Sequence, residues 1–170
     1  MLTVACAAAA PAAATTVRVK TFGSEDRTGE PRKRATVIVR AQGGERNRLR
    51  GVTTSGNKPQ SVVIFDKAGV SPGRGCRRTS RRAVACRTGR FTVTDVDIVL
   101  GDRSDRATLD DFFPDGGVSV SAGRGDDRVI SRSNFLGVYG GPGRDVLRSG
   151  GEAAFVGGPG DDRLFGGPGD

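Results

Sequence analysis

From Val138 to Asp170 the chain reads VYGGPGRDVLRSGGEAAFVGGPGDDRLFGGPGD, in which a glycine turn, an aspartate and an aliphatic residue recur at nearly fixed spacing. Set in register, the segments are AGRGDDRVI at 122–130, GGPGRDVLR at 140–148, GGPGDDRLF at 157–165 and GGPGD at 166–170. They follow G-G-x-G-x-D-x-U-x, with U a large aliphatic residue, and self-similarity of this kind signals a stack of like units. The aspartate slot holds Asp127, Asp145 and Asp162, 18 and 17 residues apart, and Asp170 begins another copy. Val129, Leu147 and Leu164 keep the same spacing in the aliphatic slot. Segments of nine and eight residues, SRSNFLGVY and SGGEAAFV, lie between the copies, so each coil is a glycine–aspartate half plus a degenerate half. Upstream, LGDRSDRAT at 100–108 is a weaker copy with Asp105 in the aspartate slot.

The chemistry follows from the residue types. Glycines at 123, 125, 140, 141, 143, 157, 158 and 160 permit positive φ, so the chain turns tightly and aims carbonyls inward. The x-U-x that follows makes a short strand whose central side chain faces the interior. Carbonyls and carboxylates form the oxygen cage that a hard cation such as calcium prefers. Coils stacked at about 4.8 Å would hold successive carboxylates at a similar separation. Each such pair repels by roughly 3 kcal/mol at an effective dielectric near 20. One buried Val or Leu per coil returns about 1.5–3 kcal/mol. Calcium shared between coils is therefore expected to replace repulsion by ligation, with the chain beyond residue 115 ordered only when the ion is bound. A glycine-rich flexible linker is the plainer reading, yet a linker has no reason to keep its aliphatic residues in phase with its aspartates. In the pairs Asp126–Asp127 and Asp161–Asp162 the second member is expected to face the metal and the first to face water.

The rest of the chain has a different texture. MLTVACAAAAPAAATT reads as a secretory signal over residues 1–14, although it lacks a basic beginning; a lipoprotein cysteine at Cys6 and a buried alanine helix are the alternatives. The run is too short to cross a bilayer, so no transmembrane segment is expected. Secretion implies an oxidising compartment, in which Cys76 and Cys86 of CRRTSRRAVAC should pair. Residues 15–34, which include GSEDRTGEPRKR, read as a polar linker. Segments 35–41, 60–66 and 91–100 are short and β-branched, and in the last Val96, Ile98 and Leu100 alternate with Asp95, Asp97 and Val99, whereas no window carries a helical stripe. Residues 35–100 are thus a β-rich segment and 101–170 the repeats.

Charge divides the chain as well. Residues 1–90 carry 19 Lys and Arg against 5 acids, and residues 91–170 carry 8 against 14. The basic half could be an ordinary solvated surface, could meet anionic cell-envelope polymer, or could contact phosphate. Its arginines are not interleaved with aromatics and no groove-reading motif is present, which argues against nucleic acid. With no histidine the commonest general base near neutral pH is missing. SGNK at 55–58 matches S-x-x-K without the companion motifs. No catalytic residues are expected.

The tandem motifs at 122–130, 140–148 and 157–165 resemble the hemolysin-type, or repeats-in-toxin, calcium-binding repeats of secreted bacterial proteins. The wider layout, with VVIFDKAGVSPGRGC leading to a cysteine pair and LGDRSDR opening the repeats, is similar to secreted calcium-binding proteins of high-GC Gram-positive bacteria. The resemblance implies an all-β chain: a β-rich N-terminal segment continuing into a parallel β-roll, a β-helix-like solenoid of nonapeptide repeats. It implies calcium as the bound ion and Asp127, Asp145 and Asp162, with the glycines named above, as its site. Asp105 is a weak addition and Asp170 the start of a further repeat. Ala122 replaces a first glycine, the 100–108 copy lacks the first and third glycines, and the alternate half-coils carry no aspartate. The ladder is therefore expected on one edge, with about two good inter-coil sites. A secreted, monomeric, non-enzymatic calcium-binding protein is the resulting expectation. An adhesion protein acting through its basic half and an export or stability appendage of a larger hydrolase are the rivals.

Overall fold

A computed structural model describes residues 15–25, 31–53, 61–88, 91–110, 117–132 and 136–167. Within them there is no helix, and therefore none long and apolar enough to cross a membrane. The expected leader at 1–14, the S-x-x-K match and Asp170 lie outside the described residues.

The N-terminal part is mostly antiparallel. Alternating valines and basic residues in TTVRVKTF favour a strand with one buried face, and β1 (Thr15–Glu25) pairs along its length with β2 (Pro31–Arg40). The expected linker at 15–34 is thus corrected: residues 15–25 and 31–34 belong to two paired strands, because Val17 and Val19 point into the core while Arg18 and Lys20 face out. β3 (Arg48–Thr53) pairs with β4 (Ser61–Asp66), β5 (Val70–Pro72) lies along β1, and β6 (Cys76–Ser80) and β7 (Ala83–Arg87) extend the sheet beyond β4. Cys76 and Cys86 stand opposite each other in β6 and β7 and are joined by a disulfide.

From β8 (Thr92–Val99) the pairing becomes parallel. The strands β9 (Arg106–Asp110), β10 (Gly117–Ser121), β11 (Arg128–Ser131), β12 (Leu136–Tyr139), β13 (Val146–Ser149), β14 (Ala153–Val156) and β15 (Arg163–Phe165) go alternately to two sheets. One sheet has the order β14-β12-β10-β8-β2-β1-β5 and the other β15-β13-β11-β9-β3-β4-β7-β6. Both mix parallel with antiparallel pairs, and both run unbroken from the antiparallel part into the repeats.

A single hydrophobic core lies between the sheets. In the first sheet the register aligns Val17, Val39, Ile98, Val120, Val138 and Phe155 in one column. Val19, Val37, Val96, Val118, Leu136 and Ala153 form another. The second sheet contributes Leu49, Ala107, Val129, Leu147 and Leu164. Val129 and Leu147 are fully buried, but Leu164 is 46% exposed, having a described neighbouring coil on one side only. The expectation of one buried aliphatic per coil was too low, because the degenerate half-coils also supply two inward residues each, such as Leu136 with Val138.

Candidate metal centre

The aspartates of the repeats form a column along one edge of the second sheet, each just ahead of its strand. Backbone N–H groups of Arg106, Arg128, Val146 and Arg163 donate to the carbonyls of Asn47, Asp105, Asp127 and Asp145 at 2.8–3.0 Å, which locks the rungs in register. Every carboxylate then caps the rung before it. Asp162 Oδ1 accepts the Asp145 N–H at 2.8 Å, Asp145 Oδ1 the Asp127 N–H at 2.8 Å, and Asp127 Oδ1 the Asp105 N–H at 2.7 Å. Asp105 Oδ1 in turn accepts the Asn47 N–H at 2.7 Å. The repulsion expected between neighbours is thus partly offset by one charge-assisted hydrogen bond per rung.

The second oxygens have no such partner. Oδ2 of Asp105, Asp127 and Asp145 is buried without a hydrogen bond, in side chains that are 1–3% exposed. Burial pushes Asp127 up to about 7 and Asp105 up to about 6, against the pull of the N–H bonds each accepts, and it raises Asp145 as well. A buried carboxylate with one idle oxygen needs either a proton or a cation. Among the described residues no group of three or more His, Cys, Asp or Glu converges on one point, so any cation here would draw on backbone carbonyls as well.

The turns differ from coil to coil in how they treat that idle oxygen. A β-carbon at Gly140 would run into Asp145 Oδ2 and the Gly157 carbonyl oxygen, and one at Gly157 would run into Asp162 Oδ2. In the earlier coils the same slot holds Ala122 and Leu100, both buried in the core. The second glycine of each turn, Gly123, Gly141 or Gly158, has φ near +105°, and its Cα lies against the second-glycine carbonyl of the preceding coil. Gly125, Gly143 and Gly160 repeat this contact one column over, with positive φ. Where the 100–108 copy lacks that glycine, Arg103 still adopts φ +72°. The Arg124 N–H donates to Gly101 O at 3.0 Å. Pro142 and Pro159 stand in the Arg124 slot and, having no N–H, cannot make that bond to Gly123 O or Gly141 O.

Asp126 and Asp161 face water, as their position in the repeat suggests. Asp126 accepts the Arg144 N–H at 3.0 Å and its guanidinium at 3.1 Å, and these hydrogen bonds hold its carboxyl below the usual range.

The sequence reading missed the head of the column. Asn47 occupies the aspartate slot of QGGERNRLR at 42–50, a degenerate copy whose Gly43, Asn47 and Leu49 match Gly101, Asp105 and Ala107 in register. Its neutral amide donates to Asp105 Oδ1 and the Leu100 carbonyl. Thr15 donates its hydroxyl to Asp66 Oδ2 at 2.6 Å, and Asp66 Oδ1 accepts the N–H groups of Arg48 and Ala68. The signal was there in Gly43 and Leu49, but 49 residues of sequence separate it from the next copy. Comparison with protein-family models, curated proteins and solved structures returned no match.

Proposed function

We propose that this chain is a secreted, non-enzymatic calcium-binding repeat protein whose alternating parallel strands constitute a β-roll, with the aspartate column as its ion site. The observation that carries this reading is the file of buried, unpartnered Oδ2 oxygens at Asp105, Asp127 and Asp145. Hard oxygens without hydrogen bonds match the preference of calcium for carboxylate and carbonyl ligands. The best-suited rungs are Asp145 and Asp162. There Gly140 and Gly157 carry no side chain, so Asp145 Oδ2 and Asp162 Oδ2 lie where a β-carbon would otherwise stand, and the Gly157 carbonyl oxygen approaches the same point as Asp145 Oδ2. Calcium would supply the positive charge these oxygens lack, while the chain's own N–H groups hold each Oδ1 in place.

Binding favours the deprotonated column and adds stability by mass action. Its ordering effect concentrates in the last coils, where Leu164 and Phe165 are half exposed. A structural role outside the cell, where calcium is plentiful, fits the leader and the disulfide.

Calorimetric titration of the full chain with calcium tests the reading. Asp145→Ala should abolish a binding event or weaken it about tenfold, a loss of 1.4 kcal/mol, and Asp126→Ala should leave the isotherm unchanged. Unaltered uptake in Asp145→Ala defeats the proposal.

A further inference from the structure

Far from the aspartate column, Arg18, Lys20, Arg40, Arg74 and Arg87 line one cavity of about 740 Å³, whose wall also includes Phe91. Among the described residues no aspartate or glutamate lines it. All five cations are exposed, and none forms an ion pair with a described residue. The nearest acids in the first sheet, Asp95 and Asp97, sit on β8 outside the cavity.

The wall is built rather than incidental. Arg18 and Lys20 project from the outer face of β1, and Arg40 closes β2. Arg74 belongs to the turn between β5 and β6, held to β1 by the Gly73 N–H to Val17 O at 2.6 Å and the Val19 N–H to Arg74 O at 2.8 Å. Arg87 directly follows Cys86, and its N–H donates to Gly75 O at 3.2 Å. The Cys76–Cys86 disulfide therefore ties together the two short segments that carry Arg74 and Arg87. Cations fixed around a hollow focus a positive potential into it. Guanidinium groups there present forks that match carboxylate or phosphate oxygens. Phe91 gives an apolar surface on which the C–H face of a sugar ring can lie.

We propose that this cavity is a binding site for a segment of anionic glycan bearing carboxylate or phosphate groups, and that the disulfide acts as its positioning brace. One lining aromatic is too few to stack successive bases, so a nucleic-acid strand is the disfavoured occupant. The proposal is independent of calcium binding by the repeats.

The test is fluorescence anisotropy on the full chain, in chelator and at about physiological salt, with labelled polygalacturonate, phosphomannan and oligodeoxythymidine as probes. At least one glycan should bind more tightly than the oligonucleotide, and which glycan does so identifies the anionic group. Arg74→Glu with Arg87→Glu should weaken glycan binding by about tenfold or more. The same charge change made by Arg128→Glu with Arg148→Glu, on the outer face of the second sheet, should change it by less than about twofold. Circular dichroism of each variant checks that the fold persists. Equal losses from both pairs, tighter binding of the oligonucleotide, or no binding of either glycan overturns the proposal.

Discussion

The antiparallel part and the parallel coils share sheets, register and core, yet they treat their buried aspartates in opposite ways. In residues 15–100 the buried Asp66 has both oxygens satisfied, by the Thr15 hydroxyl and by the Arg48 and Ala68 N–H groups. The rung at the seam is the neutral Asn47. In residues 101–167 three buried aspartates each keep one oxygen without a partner. Asp66 is thus complete in its own hydrogen bonds, whereas the column aspartates, and Glu45 Oε2 just ahead of Asn47, are left without a partner. The switch occurs at a single position, because an amide at Asn47 ends the column of carboxylates before it reaches the disulfide-closed strands.

The sharpest way to separate the two regions is to remove the disulfide. Cys76→Ser with Cys86→Ser should cost about 2.5–3 kcal/mol, the unfolded-state freedom of so short a loop, read as a lower urea midpoint. The calcium isotherm should not change, since the brace lies in strands far from the aspartates. An altered isotherm would join the two regions energetically.

A smaller effect should come from pH, measured in chelator. Burial raises Asp105 to about 6 and Asp127 to about 7, from an ordinary 3.8. The folded state therefore holds protons that the unfolded chain has already released. The stability this linkage confers is full below about pH 4 and is lost as the pH climbs through 6 to 7. Calorimetric melting in chelator should show a fall of a few degrees across that window. Asp127→Asn should flatten the fall, and calcium should reverse it by favouring the charged form. A wild-type curve no steeper than that of Asp127→Asn would mean that the column does not hold those protons.

The smallest expected change is a gain. Arg103 occupies the left-handed region that Gly125, Gly143 and Gly160 occupy in the other turns. Arg103→Gly should relieve about 1 kcal/mol of backbone strain and raise the urea midpoint without touching the column. A loss of stability would show that the arginine side chain contributes more than its backbone costs.

Much of this was legible in the chain. The phase of Val129 and Leu147 with Asp127 and Asp145 announced parallel stacking, because only a regular coil returns the same residue types to the same edge. β-Branched runs at 35–41 and 60–66, and alternation in 91–100, marked three strands. The linker reading of 15–34 failed because its polar residues, Arg18 and Lys20 among them, line the outer face of a long hairpin whose inner face is valine. The degenerate half-coils were undervalued for a related reason: Gly137 between Leu136 and Val138 hides a strand that neighbouring coils complete.

By itself the sequence determined the repeat, its period, the residues of the ladder and the cysteine pair, since each depends on spacing along the chain. Tertiary structure alone decided that Asn47 heads the ladder, that each carboxylate caps its predecessor's N–H, and that five cations from four separate segments surround one hollow. Those facts depend on which strands become neighbours across dozens of residues, and parallel pairing brings together groups whose relation no local pattern encodes.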